Sequence, residues 1–189
     1  MPTDRSCVSV SNRRKILTTS SQQQDTQEKG VVYYFTRDTE ASYWQPKPAN
    51  GHVSVAVAPG MTKMERNLAM GTQTLPPGGR VREHAHPANE EILHFVSGTG
   101  TAVVDGDEYK LEPGVTLFLG KHNSHTFLNS GDVDLHWVWF MTPSGLETFF
   151  RDIGRPRKHG EAAPQPFERP TNIGQIESAD NGVFTYTKS

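Results

Sequence analysis

Short bursts of apolar residues run along most of this chain, separated by turn-forming residues. Val53, Val55 and Val57 alternate with His52, Ser54 and Ala56 up to Pro59 and Gly60, the signature of a strand entering a turn. Residues 31–35 form an earlier β-type run, and residues 67–75 a weaker one closed by Pro76, Pro77, Gly78 and Gly79. Pro77 followed by Gly78 suits the centre of a type II turn, where proline presets φ and glycine tolerates a positive one. Further strands are expected over 80–86, 91–97, 101–104, 108–111, 115–119, 124–128 and 134–141. Asp105-Gly106 signals a tight hairpin, and Pro113-Gly114 another turn. Strands at intervals of roughly 8–12 residues with turns between them predict an antiparallel sandwich or barrel.

The pattern changes after residue 142. Leu146, Phe149, Phe150 and Ile153 fall on one helical face, Ser144 and Glu147 have capping-box spacing, and Gly154 suits the stop. The helix over 145–153 is expected to lay its apolar face on the outside of the barrel or across its mouth. Residues 155–170 contain Pro156, Pro164, Pro166 and Pro170 and read as an extended strap, with a weaker helix over 172–179. Residues 1–30 are rich in Ser, Thr and Gln without a periodic apolar face, and are expected to form a flexible tail. The expected organisation is thus a tail over 1–30, an all-β barrel over 31–142, and a C-terminal helix and strap over 143–189.

Composition narrows the possible partners. A chain of 189 residues suits one domain with a substantial core. The formal net charge of -2 offers no basic footprint for nucleic acid or an anionic membrane. A single cysteine, Cys7, excludes a disulfide framework within the chain and a multi-cysteine zinc site. No apolar run approaches the roughly 20 residues that span a bilayer. Arg13, Arg14 and Lys15 are followed only by Ile16 and Leu17, too short for a secretory core. A cytoplasmic protein acting on a small molecule, without nucleic-acid or membrane partners, is the expectation.

The chemistry gathers between residues 76 and 129. His84 and His86 are two apart on an expected strand, so their imidazoles project to one face. Two acids, Glu90 and Glu91, follow after a short turn, and His125 is the best candidate for a third imidazole. Three imidazoles and a carboxylate suit one divalent transition-metal ion (Fe, Mn, Ni, Co, Cu or Zn), with open positions if it is six-coordinate. Such an ion stabilises an enolate or phenolate as a Lewis acid, or mediates redox chemistry where the metal allows it.

In their spacing these residues resemble the cupin family. Gly78, His84, His86, Glu91 and Gly98 match its first motif, and Gly114, His125 and Asn129 its second. Gly120 stands where the second motif has proline, and His122 where it has glycine. The resemblance covers roughly residues 31–142. It implies a double-stranded β-helix, the jelly-roll barrel of the cupins, with the metal held by His84, His86, Glu91 and His125. Glu91 is preferred to Glu90 because it alone leaves six residues before Gly98, and it could also act as the base that takes a substrate proton.

By strand parity Leu93 and Phe95 point inward with Glu91, and Phe127 with His125; Leu117 and Leu119 join them by analogy with the family. These walls suit an aromatic, polyketide-like or other enolisable substrate. No cation is clearly placed in the pocket, although Arg80 and Arg82 share parity with His84. His94 should face outward, His122 is either a turn residue or a group at the pocket mouth, His136 could face either way, and His52 is structural. The likeness to small quercetinase-like cupins implies a metal-dependent dioxygenase. The alternatives are a non-oxidative isomerase, lyase or cyclase, or a non-catalytic small-molecule-binding protein. A homodimer formed by sharing strands, with residues 31–35 available for exchange, is also implied.

Overall fold

Burial follows the apolar alternation strand by strand. The computed structural model describes residues 29–179 and Phe184, so most of the expected tail lies outside the described residues. The strands are β1 (Ala41–Trp44), β2 (His52–Val57), β3 (Ala69–Leu75), β4 (Arg80–His84), β5 (Glu90–Ser97) and β6 (Gly100–Val104). They continue with β7 (Asp107–Leu111), β8 (Thr116–Leu119), β9 (His125–Leu128), β10 (Leu135–Thr142) and the short β11 (Arg155–Pro156). Helices α1 (Leu146–Ile153) and α2 (Ile173–Ala179) flank β11. On β10 every second side chain, Leu135, Trp137, Trp139 and Met141, is buried. His136 therefore faces outward, which answers the question its strand left open.

A seven-stranded sheet runs β11-β1-β2-β3-β10-β5-β8, and a four-stranded sheet runs β4-β9-β6-β7. Their inner faces meet through aromatic rings: Phe127 of the small sheet lies 6.2 Å from Phe95 and 5.9 Å from Trp137 of the large one. This is the expected two-sheet jelly-roll, a double-stranded β-helix with short C-terminal helices. Its turns follow from the residues that make them. Gly78 takes φ 76° in a turn closed by the Gly79 N–H donating to the Pro76 carbonyl at 2.8 Å. Asp105 and Gly106 both adopt positive φ, as a tight hairpin with right-handed twist requires. Gly98 combines φ 80° with a close approach: a Cβ there would stand 2.3 Å from the Asp134 carbonyl oxygen.

Three local expectations need correction. Residues 31–35 form no strand, and Val32 and Tyr34 are 91% and 87% exposed. Strand β1 is paired on both sides by the chain's own β2 and β11. Strand β4 ends at His84, with a register shift against β9, and His86 lies in the following loop. Helix α1 is capped by Gly145, not Ser144, and the Glu147 carboxylate accepts from the Gly145 N–H at 2.8 Å. Gly154 does follow the helix, but with φ −94°. Space, not left-handed geometry, calls for glycine: a Cβ would meet the Phe150 carbonyl at 2.6 Å and Tyr43 Cβ at 2.8 Å.

The apolar stripe of α1, Leu146, Phe149, Phe150 and Ile153, is buried against the barrel, and Phe150 meets Trp139 edge to face at 5.6 Å. Burying each such side chain contributes about 1.5–3 kcal/mol. That stripe, not the eight-residue helix's own propensity, fixes α1 in place. Among the described residues no helix is long and apolar enough to cross a membrane.

Candidate metal centre and substrate pocket

The two sheets supply different parts of one site. Strand β4 ends on His84, which pairs directly with His125 at the start of β9, so the small sheet sets two imidazoles side by side. His86 follows in the loop, held by its carbonyl accepting from the His122 N–H at 2.9 Å. All three histidines are buried, and one ring nitrogen from each lies within 4.8 Å of the others. The rings stand 4.2 Å (His84–His125), 4.9 Å (His84–His86) and 5.2 Å (His86–His125) apart.

Backbone contacts decide which nitrogen looks inward. His84 Nδ1 lies 2.7 Å from the Arg82 carbonyl and His125 Nδ1 2.9 Å from the Asn123 carbonyl. A carbonyl only accepts, so each Nδ1 carries the proton and each Nε2 keeps its lone pair for the centre of the cluster. His125 Nε2 is buried without a hydrogen-bond partner, the condition a bound cation would relieve. Burial pushes the His84 imidazole well below its ordinary pKa, and its neighbours His125 and His86 push the same way. Burial also lowers His125, while the Glu91 carboxylate opposes the shift. Both rings are thus neutral near pH 7, the state a metal ligand needs.

The large sheet supplies the acid. Glu91, buried on β5, brings Oε2 to 3.5 Å from His86 Nε2 and 3.6 Å from His125 Nε2. It approaches two of the three imidazoles but stands outside the set whose ligand atoms all lie within 4.8 Å. Glu90 is exposed on the opposite face of β5. The donor set fits a divalent transition-metal ion: three imidazole nitrogens, one oriented lone pair in need of a partner, and an adjacent carboxylate.

Beside the histidines lies a pocket lined by Leu93, Phe127, Glu91 and His84, together with the apolar stripe of α1. Of the residues expected in its walls, Leu93 and Phe127 are there. Phe95 and Leu119 are buried in the same core cluster without lining the pocket, and Leu117 packs partly buried against that core. Cations are present where none was clearly expected, since Arg80, Arg82 and Arg169 all line the pocket. So do Gln45 and Gln73, both buried. Gln73 had a readable signal, a polar residue at an inward position between Ala69, Gly71 and Leu75 of β3. Arg169 and Phe184 had none, because they reach the pocket from far along the chain.

The other histidines fall into place. His94 is exposed and bonded to Thr116 Oγ1 at 2.8 Å. His122 is an exposed turn residue with φ 67°, so it adopts the conformation that the motif glycine would adopt freely. His52 and His136 lie on the outer face of the large sheet, away from the pocket over the three buried histidines.

Comparison with known proteins agrees with this geometry. Residues 71–141 match the family model described as Cupin domain. The chain is 28% identical over 105 residues to the tetracenomycin polyketide synthase protein TcmJ of Streptomyces glaucescens, covering 56% of this chain and 67% of TcmJ. It is 31% identical over 114 residues to quercetin 2,3-dioxygenase of Bacillus subtilis, covering 58% of this chain and 33% of that enzyme. The chain spans about half to two thirds of the length of the Streptomyces relatives it matches. Among solved structures, the polyketide cyclase RemF of Streptomyces resistomycificus shares the fold with a TM-score of 0.53 at 13% identity, covering 60% of this chain and 81% of RemF.

Proposed function

We propose that this chain, whose residues 71–141 match the Cupin domain model, is a metal-dependent oxidoreductase, a dioxygenase acting on a small aromatic or polyketide-like substrate. His84, His86, His125 and Glu91 would hold one divalent transition-metal ion. The observation that carries the reading is the convergence of three buried imidazoles and a carboxylate, of which His84 and Glu91 line an aromatic-walled pocket. The likeness to quercetin 2,3-dioxygenase supports it.

When bound, the ion supplies Lewis-acid stabilisation of a deprotonated substrate oxygen and, if redox-active, a route to dioxygen. The chain's own residues do the rest. Glu91, buried at the pocket floor, accepts the proton of a substrate enol or phenol at a carboxylate oxygen. Leu93, Phe127, Phe149 and Phe150 flank the ring and keep bulk water out. Gln73 offers both a donor and an acceptor to a second substrate oxygen. The Arg82 and Asn123 carbonyls hold their histidines in the tautomer that places the lone pair on Nε2.

A non-oxidative reaction on a polyketide, such as that of a cyclase, is the second reading: the chain spans 67% of the polyketide synthase protein TcmJ but only 33% of the dioxygenase. Metal analysis followed by oxygen-electrode assays on quercetin and on aromatic polyketide substrates separates the two. Oxygen uptake in step with substrate loss is expected. Turnover that continues unchanged under argon would replace the dioxygenase with the cyclase. We place the enzyme in the cytoplasm as a homodimer, a state that light scattering tests.

A further inference from the structure

Two side chains from the end of the chain bear on the pocket over the histidines. Phe184 is only 8% exposed, and its ring lies 4.1 Å from Phe149, 5.2 Å from His84 and 5.1 Å from His86. With that ring in place the cavity holds about 50 Å³. That accommodates a few waters, whereas pockets for organic ligands run to roughly 300 Å³ or more. An aromatic substrate cannot enter while Phe184 stays. The ring already makes the contacts such a substrate would make, against the imidazoles and an aromatic wall.

The second side chain is Glu177 on α2. Its Oε1 lies 3.1 Å from Arg82 and 3.0 Å from Arg169, so two guanidinium groups converge on one carboxylate oxygen. Both arginines also line the pocket. The Arg169 and Glu177 side chains are 20% and 19% exposed, shielded enough for these charge-assisted hydrogen bonds to matter. A pair of guanidinium groups at the rim of an apolar pocket is suited to an acid, and the chain itself shows one bound there.

We propose that Phe184 and Glu177 together are a built-in stand-in for the substrate. Phe184 holds the place of an aromatic ring and Glu177 the place of an acid group, so the substrate is an aromatic carboxylic acid that enters by displacing both. The inference rests on the pocket being the substrate site of the proposed enzyme, and it uses no step of the chemistry. An internal occupant lowers apparent affinity by the fraction of molecules in which the site is closed. A substrate carboxylate restores to Arg82 and Arg169 the bonds lost when Glu177 leaves. A neutral analogue of the same shape does not.

The test is binding of 2-naphthoate and of 2-naphthamide to the full-length purified protein, read by ligand fluorescence without turnover. If the ring closes the site in about nine molecules of ten, Phe184→Ala and Phe184→Leu tighten both compounds by roughly tenfold. Glu177→Gln raises the preference for the acid over the amide, and Arg82→Gln or Arg169→Gln lowers it by roughly tenfold. Unchanged or weakened binding in both Phe184 variants overturns the proposal, as does an acid-to-amide preference indifferent to Glu177, Arg82 and Arg169. Glu177→Gln lies on a surface helix and leaves the core intact, so the acid arm survives even if a Phe184 variant fails to fold. The expected binding pattern in a protein that never consumes oxygen would overturn the dioxygenase reading and leave this inference standing.

Discussion

Histidines gather in two places in this protein, and the two gatherings differ in kind. Inside the barrel, His84, His86 and His125 are buried with one ring nitrogen each within 4.8 Å of the others and a carboxylate alongside. On the outer face of the large sheet, His52, His136 and His159 line a groove of about 550 Å³ together with Arg37, Arg157 and Lys158. There His52 is pushed down to about 4, first by burial and then by Arg157. His136 is lowered by burial and by Arg37. Its Nδ1 lies 2.8 Å from Thr74 Oγ1, committed to a side chain of the neighbouring strand. Burial lowers imidazoles in both places, His84 and His125 inside and His52 and His136 outside, but only the inner set gathers its ring nitrogens around a common centre shared with an acid. The outer set shares its groove with Asp38 and Glu40 as well as the three cations, yet among the described residues it forms no cluster of converging ligand atoms. Convergence, not the number of histidines, makes the difference.

The largest effect should come from breaking the inner set. His84→Ala or His125→Ala should reduce bound transition metal from about one equivalent per chain to near zero by elemental analysis. The double variant of His52→Ala and His136→Ala should keep the full amount. Glu91→Gln, nearly isosteric, should weaken metal binding by about 10–100-fold in a chelator competition, the scale seen when groups around ligand histidines are disturbed.

Acid titration sharpens the contrast from the other side. The folded pKa of His52, about 4, lies below its ordinary 6.5, so the folded state binds fewer protons than the unfolded one. The stability it contributes is present above pH 6.5 and is lost as pH falls towards 4. His52→Gln should therefore flatten the pH dependence of urea stability in that window, by on the order of 1 kcal/mol once its partial exposure is discounted. The smallest effect belongs to the turn behind His86. His122→Gly relieves a left-handed conformation at an exposed site and should raise thermal stability by about 1 kcal/mol. Metal content should not change, because the bond to the His86 carbonyl comes from the backbone.

Much of this could be read in advance, for identifiable physical reasons. Period-two alternation on β2, β5 and β10 chose the core face, since a one-residue slip would expose every inward side chain. The motif glycines Gly78, Gly98 and Gly114 all adopt positive φ, so their spacing records where the backbone must turn. Parity placed Leu93 and Phe127 in the pocket because both lie on strands that also bear site residues. It could not tell pocket wall from core for Phe95 and Leu119, since facing inward does not say how far along the barrel a residue sits. Residues 31–35 misled because β propensity is fulfilled only where neighbouring strands and a packed face support it. Phe184, Arg169 and Glu177 were hidden more deeply. Each meets its partners only through tertiary contacts, Phe184 with Phe149 and Arg169 with Glu177, which no local periodicity encodes.

The central claim is that His84, His86, His125 and Glu91 form a metal centre, and cobalt titration tests it most directly. Chelator-stripped protein titrated with Co(II) should develop visible d–d absorption that saturates at about one equivalent. The signal should be absent in His125→Ala and intact in the His52 and His136 double variant. A wild-type protein that stays colourless, or a His125→Ala protein that colours equally well, would contradict the account.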